Sequence, residues 1–203
     1  MGRIDDLREK IKQRMSSFRL AHTLGVEQTV RALGEIYMPD SIDELCIAAL
    51  LHDITKERST EEHIEMLKIH GVEVTEDDIR SPKTLHAKTA EFEADEHFGE
   101  FINDRIRQAL RYHTTGNENM TLFDAVIYLA DYIEDTRTFE DCVKLRNYFW
   151  SAEPNNMSQS DRERHLWKTI LLSLDMTVAD IEKSGGYVSG ETLFAREAIA
   201  KKL

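Results

Sequence analysis

The residues of this sequence that could carry chemistry are histidines and aspartates set inside or beside apolar segments. His52 and Asp53 directly follow the apolar run Leu45–Leu51, and Asp131 ends an apolar run that begins at Ala125. Burying an imidazole beside a carboxylate costs free energy unless a third group compensates both. A metal ion does so, because it takes the imidazole lone pair and favours the ionised carboxylate. The pattern predicts a metal site, although the His-Asp dipeptide alone would more simply be a solvated pair.

Three further histidines could belong to the same site. His22 lies in a helical segment before His52, so it can supply a ligand from another helix of a bundle, next to the ligands from the helices that carry Asp53 and Asp131. His86 and His113 lie at the beginning or end of further predicted helices and could face the same centre. Ligands of this kind, imidazoles with carboxylates, suit iron, manganese or cobalt.

The elements that must position these residues are helices. Apolar residues recur at helical spacing along almost the whole chain, and the alternation typical of strands is almost absent. The third helix is expected to run from Ser41 to about Lys56, and the last from Ser189 to Leu203. The sequence therefore predicts an all-α single domain. Helix-start signals occur at Ser41, Ser59, Ser81, Asn103, Thr121 and Ser160.

Composition narrows the class of protein further. The chain has 203 residues and a formal net charge of −12, which disfavours binding to nucleic-acid polymers or anionic membranes. The two cysteines, Cys46 and Cys142, lie far apart, as is typical of free thiols in a reducing compartment. Neither a membrane span nor a secretory signal is evident, so we expect a cytoplasmic protein. The remaining histidines occur in polar segments and are expected to be solvated: His63, His70, His97 and His165.

The ordered set of His22, His52-Asp53, His86, His113 and Asp131 resembles the HD superfamily of metal-dependent phosphohydrolases. The segments AALLHDITK and ALRYHTTGNENMTLFDAVIYLADYIEDTR resemble its bacterial YqeK group, whose members are symmetrical diadenosine-tetraphosphate hydrolases. The resemblance is strong over about residues 15–140. It implies one HD domain over 1–203, with its core at about 15–140 and a C-terminal helical extension at 141–203. Two residues depart from the family pattern: Ala87 stands where glycine is expected, and Asp135 where proline is expected.

The resemblance implies a site that holds one or two divalent or trivalent metal ions, and the family association favours iron. One metal would be bound by His22, His52, Asp53 and Asp131, while Asp53 could bridge to a second metal. The other ligands of that second metal would be His86 and His113.

The resemblance also implies a small anionic nucleotide as the substrate. Asp53 and Lys56 are the expected catalytic residues, with the Lys56 ammonium neutralising a bridging phosphate. Each further candidate has a plainer alternative, as a surface cation or as part of an ordinary turn. The residues expected to bind substrate are Arg19, Lys56, Thr114, Thr115, Gly116 and Arg137.

Other functions stay open on the sequence alone. With the metal site kept, the protein could be a different nucleotide phosphatase, a cyclic-dinucleotide phosphodiesterase or a di-iron oxygenase. It could also be a non-catalytic module that binds a nucleotide or a partner and retains a structural metal. The plainest alternative is a helical bundle with a solvated His-Asp pair. The oligomeric state and the preferred base are not encoded in any recognisable pattern.

Overall fold

The computed structural model describes residues 2–203, and over these residues the chain forms eleven α-helices and no β-strand. This confirms the predicted all-α class. No helix within the described residues is both long enough and apolar enough to cross a bilayer. The helices are α1 (Arg3–Ile11), α2 (Ser17–Tyr37), α3 (Ile42–Leu51), α4 (Thr60–Ile69), α5 (Glu76–Arg80), α6 (Leu85–Phe98), α7 (Asp104–Tyr112), α8 (Leu122–Ile133), α9 (Glu140–Ser151), α10 (Gln159–Lys183) and α11 (Gly190–Lys202).

The bundle is organised around α3, whose residues Leu45–Leu51 are almost entirely buried. Helix α2 packs against α3 and α8, and α7 packs against α3, α6 and α8. One apolar core extends from Leu7 on α1 to Ile199 on α11, so the C-terminal helices share it with the rest of the chain. Burial on all sides explains why α3 is an uninterrupted apolar run rather than an amphipathic one.

Helix α3 ends earlier than the sequence predicts. It stops at Leu51 rather than near Lys56, and the chain continues in tight turns whose amides bond to carbonyls three residues back. For example, Lys56 N donates to Asp53 O at 3.0 Å. His52 and Asp53 therefore leave the helix at its end, where neighbouring helices converge on them, instead of lying on its flank.

Three of the six predicted helix starts are confirmed, at Ser59, Asn103 and Thr121, and the other three differ for local reasons. Ser81 makes no cap bond, because a 3₁₀ turn over Pro82–Thr84 follows it and α6 begins only at Leu85. The Ser59 and Thr121 hydroxyls each accept a bond from the amide three residues on, within complete capping boxes. The Ser41 side chain makes no such bond, because a 3₁₀ turn over Pro39–Ser41 leads into α3. The cap of α10 is Ser158 rather than Ser160, since Asp161 lies at the third position after Ser158 and its amide donates to the Ser158 hydroxyl.

The expectation of solvated histidines is wrong at two positions. His63 and His165 are buried, at 4% and 9% exposure. The Nδ1 atom of His63 lies 2.8 Å from the Thr89 hydroxyl, and His165 Nε2 lies 3.0 Å from the Phe149 carbonyl. Both lie on the inner faces of helices whose polar residues face outward, a distinction that composition alone does not make. His97 is exposed, as expected.

Candidate metal centre

Six side chains from separate parts of the bundle converge on one centre. His22 lies on α2, His86 on α6 and Asp131 on α8, while the other three follow the ends of α3 and α7. All the predicted metal ligands are thereby brought together, in overlapping groups that could each hold an ion. Five of the six are buried, and Asp131 keeps 16% of its side chain exposed.

The histidine rings are fixed so that each points its Nε2 atom at the centre. In three of them Nδ1 contacts the main-chain carbonyl three residues earlier. A carbonyl can only accept a hydrogen bond, so Nδ1 carries the proton and Nε2 keeps its lone pair when the ring is neutral. This is the tautomer that a metal ligand needs. The contacts are His52 to Ala49 O at 2.6 Å, His113 to Leu110 O at 2.8 Å and His86 to Lys83 O at 2.9 Å.

Asp53 lies between two groups of ligands and presents one carboxylate oxygen to each. Its Oδ2 is 3.5 Å from Nε2 of both His22 and His52. Its Oδ1 is 3.3 Å from His86 Nε2 and 3.5 Å from His113 Nε2. We name His22, His52 and Asp131 the first ligand set, and His86 and His113 the second. Asp53 belongs to both, as a bridging carboxylate would.

A buried glutamate that the sequence analysis did not single out orients the first ligand set. Glu134 is fully buried, and its Oε1 accepts a hydrogen bond from His22 Nδ1 at 3.0 Å. There is room for it because residue 25 is glycine: a Cβ atom there would lie 2.4 Å from Glu134 Oε2. The available signal was an acidic residue one turn after Asp131, together with a glycine one turn after His22.

The first ligand set is surrounded by negatively charged carboxylates. Burial by itself would lower the pKa of His52, but the charges of Asp53 and Asp131 reverse this and raise that pKa to about 10. The pKa of His22 is also raised, because its bonds to Asp131 and Glu134 outweigh burial. The pKa of Asp131 itself lies well below its usual range despite burial, since Arg137 and His22 stabilise its charge. This region favours a cation.

The second ligand set lies beside a positive group instead. The Lys56 ammonium is 2.9 Å from His86 Nε2, and the Thr114 hydroxyl is also 2.9 Å from that atom. Burial lowers the pKa of His86 well below its usual value, and the Lys56 charge adds to the effect. Burial likewise lowers the pKa of His113 and of Lys56. The imidazoles of this set are therefore neutral, with free lone pairs.

Two arginines lie beside the carboxylates of the centre. Arg19 on α2 donates to Asp53 Oδ2, and Arg137 donates to Asp131 Oδ1 at 2.5 Å. Arg137 is held in turn by Arg146 of α9, whose guanidinium donates to the Arg137 carbonyl at 2.8 Å. The same guanidinium donates to the Ile133 carbonyl at 2.6 Å and to that of Glu134.

Two of the predicted substrate-binding residues make their contacts elsewhere. The Thr115 hydroxyl donates to Glu191 on α11 at 3.0 Å or to the Gly116 carbonyl at 2.9 Å. Gly116 has a φ of +65°, a left-handed conformation that suits glycine, and a Cβ there would meet Ala195 at 3.0 Å. Their recorded contacts are with the C-terminal helix and not with the six ligands.

The donor set fits a metal ion on two observations. Asp53 Oδ1 is buried and has no hydrogen-bond partner among residues 2–203, although its neighbouring imidazoles lie within 3.5 Å. In addition, His22 and His52 approach with their Nε2 atoms 3.4 Å apart, and His86 and His113 with theirs 3.1 Å apart. Facing lone pairs repel unless a proton or a metal lies between them. The chemistry of a metal centre explains both features.

Comparison with known proteins decides the family. Residues 19–136 match the family model described as HD domain, and this span holds all six ligands and Glu134. The chain belongs to the HD family. It is thus an HD-superfamily hydrolase with a metal-binding site, and the matched span includes α2 to α8 almost entirely. Helices α9 to α11 lie beyond it.

Related HD proteins are known from several bacteria. The chain is 33% identical to a symmetrical bis(5'-nucleosyl)-tetraphosphatase of Halalkalibacterium halodurans, over 67% of this chain and 71% of the relative. It is 35% identical to the Bacillus subtilis protein of the same name, over 67% and 72% of the two chains. A crystal structure from Clostridium acetobutylicum superposes with a TM-score of 0.85, at 28% identity and full coverage of both chains. That protein is described as a "predicted HD superfamily hydrolase involved in NAD metabolism".

Proposed function

We propose that this protein hydrolyses dinucleoside polyphosphates, and that it cuts diadenosine tetraphosphate symmetrically to two molecules of ADP. The observation that carries the proposal is the buried Asp53 carboxylate, which faces two pairs of imidazoles with one oxygen each. The substrate class is supported by the relatives that bear the name symmetrical bis(5'-nucleosyl)-tetraphosphatase.

The ligand roles follow the two sets. The first set and Asp53 would hold one metal, and the second set and Asp53 would hold another. A metal bound there lowers the pKa of water and offsets the negative charge of phosphoryl oxygens. Imidazoles mixed with carboxylates suit iron, manganese or cobalt, and we propose iron, following the family association.

The protein's own cations would then bind the phosphate chain. Arg19 supports this role, because its Nε is buried without an acceptor among the described residues, so one donor is left for an incoming oxygen. Lys56 lies at the opposite side of Asp53, with its ammonium 3.9 Å from Oδ1. Arg137 approaches from the Asp131 side. Positive charge on both sides of the centre suits a substrate whose scissile bond is flanked by phosphates on both sides.

The Thr114 hydroxyl, which contacts His86, is a further candidate donor to phosphate. Thr115 and Gly116 we place in a supporting role, because their contacts with Glu191 and Ala195 fix the loop that follows His113. The expected substrate is a small nucleotide.

Product analysis tests the proposal. Purified protein supplied separately with iron, manganese and cobalt is incubated with diadenosine tetraphosphate, and the nucleotides are separated by chromatography. We expect ADP as the sole nucleotide product, and loss of its formation in His52→Ala. His97→Ala is the matched control, because it removes an exposed imidazole. Formation of ATP with AMP, or no turnover with any of the metals, would contradict the proposal.

A substrate panel separates this function from its alternatives. NAD and a cyclic dinucleotide serve as the comparison substrates, because both contain phosphate linkages between two nucleosides. We expect the tetraphosphate to have the highest kcat/KM. A cyclic dinucleotide or NAD hydrolysed faster would assign the same centre to another substrate, and tight ADP binding without turnover would indicate a binding module.

A further inference from the structure

A cavity of about 300 Å³ lies beside the metal centre, on the far side of His86. The cavity shares Lys56 and His86 with the centre, so the two spaces adjoin. Its other polar walls come from three separate parts of the chain: the turns after α3, helix α4 and the 3₁₀ turn before α6. The lining residues that matter here are Lys56, Arg58, His63, Lys83 and His86.

The charge of this cavity is opposite to that of the protein. Its lining includes two lysines and an arginine but no carboxylate, whereas the whole chain carries a formal net charge of −12. Lys83 is exposed and has no ion-pair partner within the described part of the chain. Arg58 and Lys56 are paired with carboxylates outside the cavity lining, Glu93 and Asp53. Lys83 has no such partner, so an anion bound in the cavity would balance its charge.

The cavity is built from fixed walls. Arg58 is held by the buried carboxylate of Glu93, which also binds Arg14 at 2.6 Å. The main chain of Lys83 is anchored because its carbonyl accepts from His86 Nδ1. The Thr89 hydroxyl contacts His63 on this side and the Thr55 hydroxyl, at 3.0 Å, on the other. The Arg58 guanidinium and the main chain of Lys83 are therefore held in place before any ligand arrives, as in preformed sites.

A larger cavity nearby has the opposite character. It has a volume of about 440 Å³, lies between Tyr112 and Phe194, and is lined by two carboxylates, Glu118 and Glu191. Glu191 is paired with Arg111 at 2.5 Å, and the cavity lining contains no cation, so a phosphate chain would find no counter-charge there. Of the two spaces, only the one next to Lys56 suits a phosphate chain that extends from the metal centre.

We propose that the cavity lined by Lys56, Arg58 and Lys83 is a phosphate subsite that binds the part of the substrate chain beyond the scissile linkage. The proposal rests on the proposed function and adds a selectivity to it. A substrate with phosphates long enough to reach Lys83 gains binding energy that a shorter phosphate compound lacks. Lys83 is a residue for substrate selection and does not touch the reacting atoms.

Kinetics of charge variants at residue 83 test this subsite. Lys83→Gln and Lys83→Glu change an exposed side chain and leave the carbonyl that holds His86 in place. We expect KM for diadenosine tetraphosphate to rise about tenfold in Lys83→Glu and less in Lys83→Gln, with a much smaller change in kcat. The rise should shrink in high salt, because surface electrostatics are screened. Lys168→Glu, at an exposed position on α10, is the control that makes the same change in net charge.

A binding measurement separates this inference from the proposed function. Inorganic pyrophosphate is titrated calorimetrically into metal-loaded wild type, Lys83→Glu and Lys168→Glu, whose metal contents are measured first. Weaker binding in Lys83→Glu alone supports the subsite, even if the tetraphosphate proves not to be a substrate. Equal affinity in the two variants, together with equal KM values where turnover occurs, would overturn the subsite and leave the proposed function standing.

Discussion

The two ligand sets use the same imidazole chemistry in opposite surroundings. In the first set, His22 is bonded on one side to Asp131 and on the other to Glu134, and the pKa of the ring is raised. In the second set, His86 lies beside the Lys56 ammonium, and its pKa is lowered. The neighbours of a ligand therefore differ far more than the ligands do.

This difference in surroundings predicts different roles for the two ligand sets. Carboxylates behind an imidazole raise its basicity and fix its orientation, so the first set should retain a metal ion firmly. An ammonium close to His86 repels a second cation but attracts a phosphate oxygen. We therefore expect the second ligand set to hold its metal more weakly and to be the side on which the phosphate chain is bound.

Asp53 belongs to both sets, so its loss should have the largest effect. In Asp53→Asn the side chain keeps its shape but loses the charge that balances either metal. We expect activity to fall about 10³-fold, since metal catalysis supplies several kcal/mol. Metal content per chain, measured by elemental analysis, should fall in parallel. Asp180→Asn, on the exposed end of α10, is the control, and equal metal retention in the two variants would exclude a bridging Asp53.

Single histidine replacements should have the next largest effect, and they should affect the two ligand sets differently. His22→Ala removes a ligand of the first set, and we expect the affinity for the firmly held metal to drop more than the ~10–100-fold typical of losing an outer partner. His86→Ala should keep that metal and lose only the weaker one. Equilibrium dialysis at several metal concentrations measures both affinities. Identical losses in the two variants would show that the sets do not differ.

Gly25 offers a smaller and more selective change. In Gly25→Ala the new Cβ would lie 2.4 Å from Glu134 Oε2, so the glutamate must move away from His22. We expect the metal affinity of the first set to weaken about 10-fold, as is typical when an outer partner of a ligand is lost. The second set should keep its affinity.

Gly99→Ala is the matched control for this variant, because no heavy atom lies within 4 Å of a Cβ built there. If Gly25→Ala binds metal as Gly99→Ala does, Glu134 does not orient His22 in solution. If Gly25→Ala weakens metal binding as expected, Glu134→Gln, which keeps a hydrogen-bond acceptor but not the charge, tells whether the charge or the position of Glu134 matters.

Three of the candidate ligands could be singled out from the sequence because they are polar residues at apolar positions. Asp131 ends an apolar run, and His52 with Asp53 follows another, so burial without a partner could be inferred from the neighbours alone. The helix class was equally predictable, since the apolar spacing repeats along the chain.

The outer partners could not be predicted in the same way. Glu134 lies one turn after Asp131, but it also precedes the exposed Asp135, so its local sequence does not show that its carboxylate is buried. Its burial depends on the missing side chain of Gly25, more than a hundred residues away in sequence. The early end of α3, which aims Asp53 at both sets, likewise depends on turn geometry that apolar periodicity does not report.

His63 provides the smallest expected effect, on stability rather than on metal binding. It is buried behind the second ligand set and faces Arg58, Lys56 and Glu62. Burial, reinforced by Arg58, lowers its pKa to about 4, against 6.5 in the unfolded chain. At pH values between these two pKa values, His63 is protonated in the unfolded chain but not in the folded chain. Stability should therefore fall as the pH drops from about 6.5 to 4, and this contribution should level off below that range.

The size of this effect is set by the difference between the pKa values of His63 in the folded and unfolded chains. A pKa shift from 6.5 to about 4 corresponds to about 3 kcal/mol of stability between pH 7 and pH 4. Urea unfolding at pH 7 and at pH 4.5 gives the change in the free energy of unfolding between the two pH values. The effect of His63 is the difference in this change between wild type and His63→Gln. Carboxylates titrate in both proteins and cancel in that difference. His97→Gln, which removes an imidazole from an exposed position, is the control. If the free energy of unfolding of His63→Gln changes with pH as that of wild type does, then His63 takes up its proton in the folded state as easily as in the unfolded one. The walls of the phosphate subsite are in that case looser than the Thr89 contact indicates.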